Sequence, residues 1–522
     1  MYIKTCVIIF TTLAWTTCKK LDVKNTFVYG PALNADIVLP TRYFFVHAVD
    51  SKGKNYTSSP GKDTFTFEIS SSSSSRVRAW KEVLDRSDGS FLVRFRLYDS
   101  HEDLYIEVKH NGQPVAKSPY RIKGMNYHEQ CNCPHPNDDI WLKTMSCPQS
   151  HQQIEEDLKP FEKVDLDVIF KKGVKQFGRN HAVCYYSVVN NEIYRKCYGE
   201  HVGFAMFMDA WLLSLARKVR LPDMEFFSNL GDWPLSKHGK EPIPVFSWCG
   251  SDDTYDVVMP TYDLTESTLE SLGRVSLDMQ SVQGNTGPKW KQKIEKGFFR
   301  GRDSRQERLD LAVLGRSKTD LLDIGLTNFF FFPYDEKKYG PKLKHVSFFD
   351  FFKYKYQINV DGTVAAYRFP YLLAGDSVVF KQDSPYYEHF YHDLQPMKHY
   401  IPFKRDLSDL LDQLKWAKAN DAKAKNIASN GQKYARDNLL CDRLYCYSYV
   451  LFKEYSRRLI QKPRVRDGME HIPQPAGADA ACKCRRDVKP KSKKKSKTKT
   501  PDDNAKQQQK QQQQKSKPHE EL

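Results

Sequence analysis

Between Leu21 and Gly124 apolar and polar residues alternate in short runs, at 43–49, 64–69 and 91–97, each set off by turn residues. Alternation of period two puts one side of a strand in a core and the other outward. About a hundred residues of it make two packed antiparallel sheets, an immunoglobulin-like β-sandwich. The period then changes. From about Cys131 to Leu459, helical spacing at 201–217 and 407–437 interleaves with short apolar strands at 243–246 and 377–380. Interleaved elements predict an α/β architecture, and about 330 residues suffice for two doubly wound, Rossmann-like halves with a ligand cleft between them.

The ends read differently from this body. Residues 1–18 carry Lys4 and then an apolar run from Cys6 to Trp15, the pattern of a secretory signal peptide. That run is too short to cross a bilayer, and no other stretch reaches about 18 apolar residues, so no membrane insertion is expected. Residues 463–518 are rich in charge, Pro and Gln and predict a disordered tail. Of the net charge of +17, residues 485–522 hold 13 basic and 5 acidic side chains. A charge concentrated there says little about the body and argues against a nucleic-acid partner. The last four residues, His519, Glu520, Glu521 and Leu522, match a lumenal retrieval signal, which implies the endoplasmic reticulum lumen and a retrieval receptor as partner.

In that oxidising compartment the twelve cysteines are expected to be largely disulfide-bonded. Cys184 and Cys197 flank an alternating stretch centred on Asn190-Asn191, so a bridge closing a hairpin is expected. Cys131, Cys133 and Cys147 cluster where the α/β region starts, and Cys441 and Cys446 lie near its end, so bridges between the two would clasp it. Zinc at Cys131, Cys133 and Cys147 is the alternative, against which the spacing speaks. Asn55-Tyr56-Thr57 is an N-glycosylation sequon in a loop, marking Asn55.

Two segments carry anion chemistry. At 354–368 a strand enters a tight turn, Gly362-Thr363-Val364-Ala365-Ala366, before Arg368 and a helix, and such a turn can present backbone N–H groups to phosphate. At 298–308 an aromatic strand is followed by Arg300, Arg302, Arg305 and Arg308, whose guanidinium groups are shaped to hold a diphosphate. Asp252 and Asp253 are adjacent in a turn rather than spaced as Asp-x-Asp, so no metal site is expected there.

These segments, with Tyr371-Leu372-Leu373 and Tyr400-Ile401-Pro402-Phe403, resemble the Rumi-like protein O-glucosyltransferases, relatives of the fungal capsule-associated glycosyltransferases. Residues 20–124, through Tyr29-Gly30-Pro31-Ala32-Leu33, Asp88-Gly89-Ser90-Phe91 and Lys117-Ser118-Pro119-Tyr120, resemble a filamin-type repeat. The order of the parts resembles the KDEL-motif-containing branch. The resemblance implies a GT-B-like transferase over 131–460, with the nucleotide-binding half at about 240–440. It also implies transfer of glucose, or xylose, from a UDP-sugar to serine of epidermal-growth-factor-like repeats, as in Notch-type receptors, by a monomer that needs no metal and no cofactor. Asp232, in Asn229-Leu230-Gly231-Asp232-Trp233-Pro234, matches the catalytic aspartate. Arg300, Arg302, Arg308, Gly362 to Ala366 and Arg368 match the donor site, although a small hydroxyl residue stands at Arg302 in the Rumi branch. The segment with Asn285 and Trp290 falls on the acceptor-facing loop. The competing reading is a catalytically silent lumenal protein that binds folded repeats.

Overall fold

The computed structural model describes residues 20–476, apart from 73, 75 and 271–276, together with Cys482 and Cys484. The expected signal peptide, the tail from 485 onward and the retrieval tetrapeptide lie outside these residues.

The alternating region forms two antiparallel sheets. One orders Phe27–Tyr29, Arg42–His47, Ser90–Leu97 and Ala79–Asp85; the other pairs Thr66–Ser71, Gln113–Pro114 and Tyr120–Asn126 with His101–His110. Phe44, Val46, Phe91, Val93 and Phe95 of the first sheet meet Phe67, Ile69, Leu104 and Ile106 of the second in one core. The first sheet is buried on its other face too. Tyr43, Leu84 and Leu92 belong to the core of the α/β region, and Leu92 is 0% exposed. The sandwich is therefore wedged against the rest of the chain rather than tethered to it.

The α/β region holds two larger sheets. The second is all parallel, in the spatial order Leu322–Asn328, Ile294–Arg302, Tyr354–Asn359, Val378–Gln382, Ile401–Phe403. Counted along the chain that order is 2-1-3-4-5, so its direction reverses between Ile294–Arg302 and Tyr354–Asn359, and a crevice opens at their carboxyl ends. The first sheet is mixed, which corrects the expectation of two doubly wound halves. Val257–Val258, Val245–Ser247 and Met224–Asn229 run parallel, but Val183–Val189, its hairpin partner Glu192–Tyr198 and the edge strand Glu470–Ile472 are antiparallel. Asn190 and Asn191, both at positive φ (54° and 68°), turn that hairpin, and Cys184–Cys197 staples it.

The chain returns to the first sheet at its end. Helix Cys441–Ser456 stacks Tyr445 on Trp211 (4.5 Å), and the Tyr455 hydroxyl donates to the Glu225 carbonyl (3.0 Å). Residues 463–476, expected to be disordered, are ordered. Arg466 pairs with the buried Glu225 and with Asp167 (2.8 Å), and Glu470–Ile472 completes the sheet. A composition rich in charge hid this, because the charges are matched by partners far away in the chain. Cys147–Cys446 and Cys131–Cys482 clasp start to end, and Cys133 is disulfide-bonded as well. The zinc alternative fails, since Cys131, Cys133 and Cys147 are each held in a disulfide. Cys482 was not among the expected partners, and Cys441 remains a buried free thiol.

Candidate active site

A cleft of about 490 Å³ opens at the reversal point of the parallel sheet and is faced across by Asp232. Asp232 follows the strand Met224–Asn229, and Asn229 shapes the turn that presents it: its side chain donates to the Trp233 carbonyl (2.8 Å) and accepts from the Gly231 N–H (3.0 Å). Burial pushes the Asp232 carboxyl up, against a hydrogen bond from Thr363 and the positive charge of Arg302. It is a carboxylate more basic than one in water.

Thr363 belongs to the turn after Tyr354–Asn359. Among the described residues, the backbone N–H groups from Thr363 to Ala366 donate to no protein acceptor, although Val364, Ala365 and Ala366 are buried. Unbonded buried N–H groups are rare and are expected where a ligand supplies the acceptor. Gly362 lies against the Arg308 guanidinium, which a Cβ here would approach to 3.2 Å.

The four predicted arginines do different work. Arg308, 4% exposed, donates to the carbonyls of Asp361 (2.7 Å), Val360 (3.1 Å) and Arg302 (3.2 Å), and so ties the carboxyl ends of both strands together. Burial and the neighbouring Arg368, Arg302 and Arg305 hold its pKa down to about 9, with Asp361 opposing them. Arg368 donates to the Arg300 carbonyl (2.6 Å) and lies over Phe299. Burial lowers it to about 10. Arg302 is exposed at the mouth, over the ring of Phe330. Arg300 lines the cleft, but its guanidinium is engaged by Asp323, through the carbonyl (3.0 Å) and the carboxylate (2.5 Å). Its charge is spent on a neighbouring strand.

Asn285 and Trp290, expected on an acceptor loop, do not line this cleft. Trp290, 8% exposed, sits in the core of the parallel sheet and donates to Asp421 (2.9 Å). Asn285 caps the short helix Ser281–Gly284 by donating to the Ser281 carbonyl (2.8 Å). That helix packs toward the sandwich, where a Cβ on Gly284 would meet Leu84 at 2.7 Å. Asn55 is exposed.

Residues 142–520 match glycosyl transferase family 90, and residues 20–121 match the filamin/ABP280 repeat. The chain belongs to glycosyl transferase family 90. It is 58% identical to protein O-glucosyltransferase 2 of Danio rerio, covering 89% of this chain and 93% of that one. It is 52% identical to protein O-glucosyltransferase 3 of Homo sapiens, over 89% and 93%, and 32% identical to protein O-glucosyltransferase 1 of Homo sapiens, over 63% and 85%.

This member of family 90, a glycosyltransferase, also lines its cleft with residues that sequence motifs left unmarked. Asp263 and Tyr262 open helix Tyr262–Glu270. Burial raises the Asp263 carboxyl to about 6, with Arg368 opposing it. Tyr371 donates to the Asp263 carbonyl (3.0 Å). Asp303 accepts the N–H groups of Phe330 (2.9 Å), Phe331 (2.9 Å) and Phe332 (2.8 Å), pinning the loop beneath Arg302. A lone buried aspartate taking three N–H groups leaves no local pattern in the sequence.

Proposed function

We propose that this transferase moves glucose, or xylose, from a UDP-sugar to a serine hydroxyl of epidermal-growth-factor-like repeats, with inversion and without a metal. The observation that carries the reading is that Asp232 and Thr363 line the same cleft. A basic carboxylate there stands against a turn whose N–H groups, from Thr363 to Ala366, donate to no acceptor among the described residues.

The chemistry follows from that juxtaposition. A serine hydroxyl is a weak nucleophile near neutral pH; Asp232 takes its proton as Oγ bonds to the sugar carbon. The bond from that carbon to the phosphate oxygen breaks, and UDP leaves with the electron pair. The N–H groups of Thr363 to Ala366 and the positive charges of Arg308, Arg368 and Arg302 meet the charge that develops on the diphosphate. One displacement on an α-linked donor gives a β-linked product. On this reading the two sheets act as the halves of a GT-B-like, monomeric enzyme. Asn55 carries an N-glycan, and the retrieval tetrapeptide 519–522 keeps the enzyme in the endoplasmic reticulum lumen by a receptor.

The test uses the purified chain, UDP-glucose or UDP-xylose, and folded repeats, including those of Notch-type receptors. The repeat gains the mass of one sugar, and Asp232→Asn removes that gain while UDP still binds. Absence of transfer from either donor to several folded repeats, by protein that binds UDP, overturns the reading.

A further inference from the structure

The filamin-type sheet facing the α/β region carries a charged residue where an interface calls for an apolar one. Arg94 lies in the middle of Ser90–Leu97, on the face that also presents Leu92, and is 5% exposed. Its Nη1 donates to both carboxylate oxygens of Asp278 (3.0 and 3.1 Å), its Nη2 pairs with Glu82 (2.7 Å), and its guanidinium lies over Trp80 (5.3 Å). Asp278 in turn accepts the N–H groups of Gln280 (2.8 Å) and Ser281 (2.9 Å), setting the start of the helix Ser281–Gly284. The preceding residue, Leu277, lines the cleft. The helix itself packs on Phe369–Ala374, which begins directly after Arg368 and contains Tyr371, another wall of the cleft.

An isolated buried ion pair adds little net stability, because desolvation offsets the attraction; its use lies in fixing one geometry. Here the geometry fixed is the seat of residues 277–284, and no other sandwich residue reaches that segment with a charge among the described ion pairs.

We propose that the sandwich is a working wall of the donor cleft, with Arg94 as the positioning residue that sets Leu277 and Tyr371 through Asp278. This rests on reading the cleft as the donor site, but it is tested apart from that reading. Backbone hydrogen exchange is followed in the full chain for the natural protein, Arg94→Ala, Arg94→Lys and, as a control on the far sheet, Lys109→Ala. Arg94→Ala speeds exchange about tenfold at 277–284 and 369–374, whereas Lys109→Ala leaves both unchanged. Arg94→Lys, which keeps the charge and loses the fork, falls between. In the same proteins UDP binds about tenfold more weakly to Arg94→Ala. With UDP-glucose as donor, KM rises while kcat stays within about twofold. Should Arg94→Ala fail to fold, Asp278→Asn serves in its place. Exchange that quickens only within the sandwich, or equally in Arg94→Ala and Lys109→Ala, overturns the proposal. If the natural protein binds no UDP, the donor reading falls, and the exchange data still decide this one.

Discussion

Thr363 and Asp232 line the same cleft, and Thr363 counters the rise that burial imposes on the Asp232 carboxyl, so the loop that presents unbonded N–H groups also tunes the carboxylate beside it. One residue thereby sets part of the basicity of the other.

The basicity gives a pH prediction. Burial raises the Asp232 carboxyl, and the base works only when deprotonated, so kcat/KM climbs with pH along a limb placed above that of an ordinary aspartate. Thr363→Val removes an interaction that lowers the pKa, and the limb moves further up. A pH profile of the variant lying below or on that of the natural protein would count against the assignment.

Loss of the base itself has a larger effect. Asp232→Asn keeps the shape and is expected to lower kcat about 10²–10⁴-fold. Single-turnover transfer measured beside UDP titration separates chemistry from binding, and unimpaired turnover sinks the role.

Arg308 satisfies three carbonyls at once, so Arg308→Ala leaves buried acceptors without donors. At about 1–3 kcal/mol for each, the melting midpoint falls by many degrees and UDP binding is lost. Arg308→Lys cannot reproduce the fork and recovers only part of this. Thermal melts with and without UDP distinguish the two variants.

Asp157 reports on stability. Its carboxyl is buried, accepts from the Val258 N–H (2.8 Å) and from Gln153 (2.7 Å), and is pushed up to about 7 from an ordinary 3.8. The folded chain thus holds this proton more tightly than the unfolded chain. The contribution to stability is present at low pH and lost as pH rises from about 4 to about 7. Asp157→Asn does not titrate, so the natural protein loses on the order of 4 kcal/mol relative to it across that window. Chemical denaturation at both ends of the window checks this; parallel curves would refute it.

Arg466→Ala strands the fully buried Glu225 carboxylate, whose remaining partner is the Arg464 N–H (2.9 Å). Removing one member of a buried pair costs about 3–5 kcal/mol. Glu225→Gln in the same chain restores most of it, a double-mutant comparison that denaturant melts can read.

The sandwich was legible because strand alternation and turn chemistry are local, and the turn at 362–366 was legible because its small residues follow a strand directly. Arg300 and Arg308 look alike in sequence; only the fold brings Asp323 to one and three carbonyls to the other. Trp290 and Asn285 stood on the expected acceptor loop, but Trp290 is drawn into the core of the parallel sheet and donates to Asp421, a contact over 131 positions that leaves no periodic trace. Residues 463–476 were misread for the same reason: their charges are neutralised by Glu225 and Asp167, more than two hundred residues earlier.

The return of the last helix and strand to the first sheet makes the parallel half an insertion within the other half. Ile294–Arg302 to Asp421–Asn438 is bracketed on both sides by chain belonging to the mixed sheet and its helices. The parallel half cannot be exchanged by swapping either end of the chain. It has to arrive as an internal cassette whose two junctions lie between Ser281–Gly284 and Ile294, and between Asn438 and Cys441.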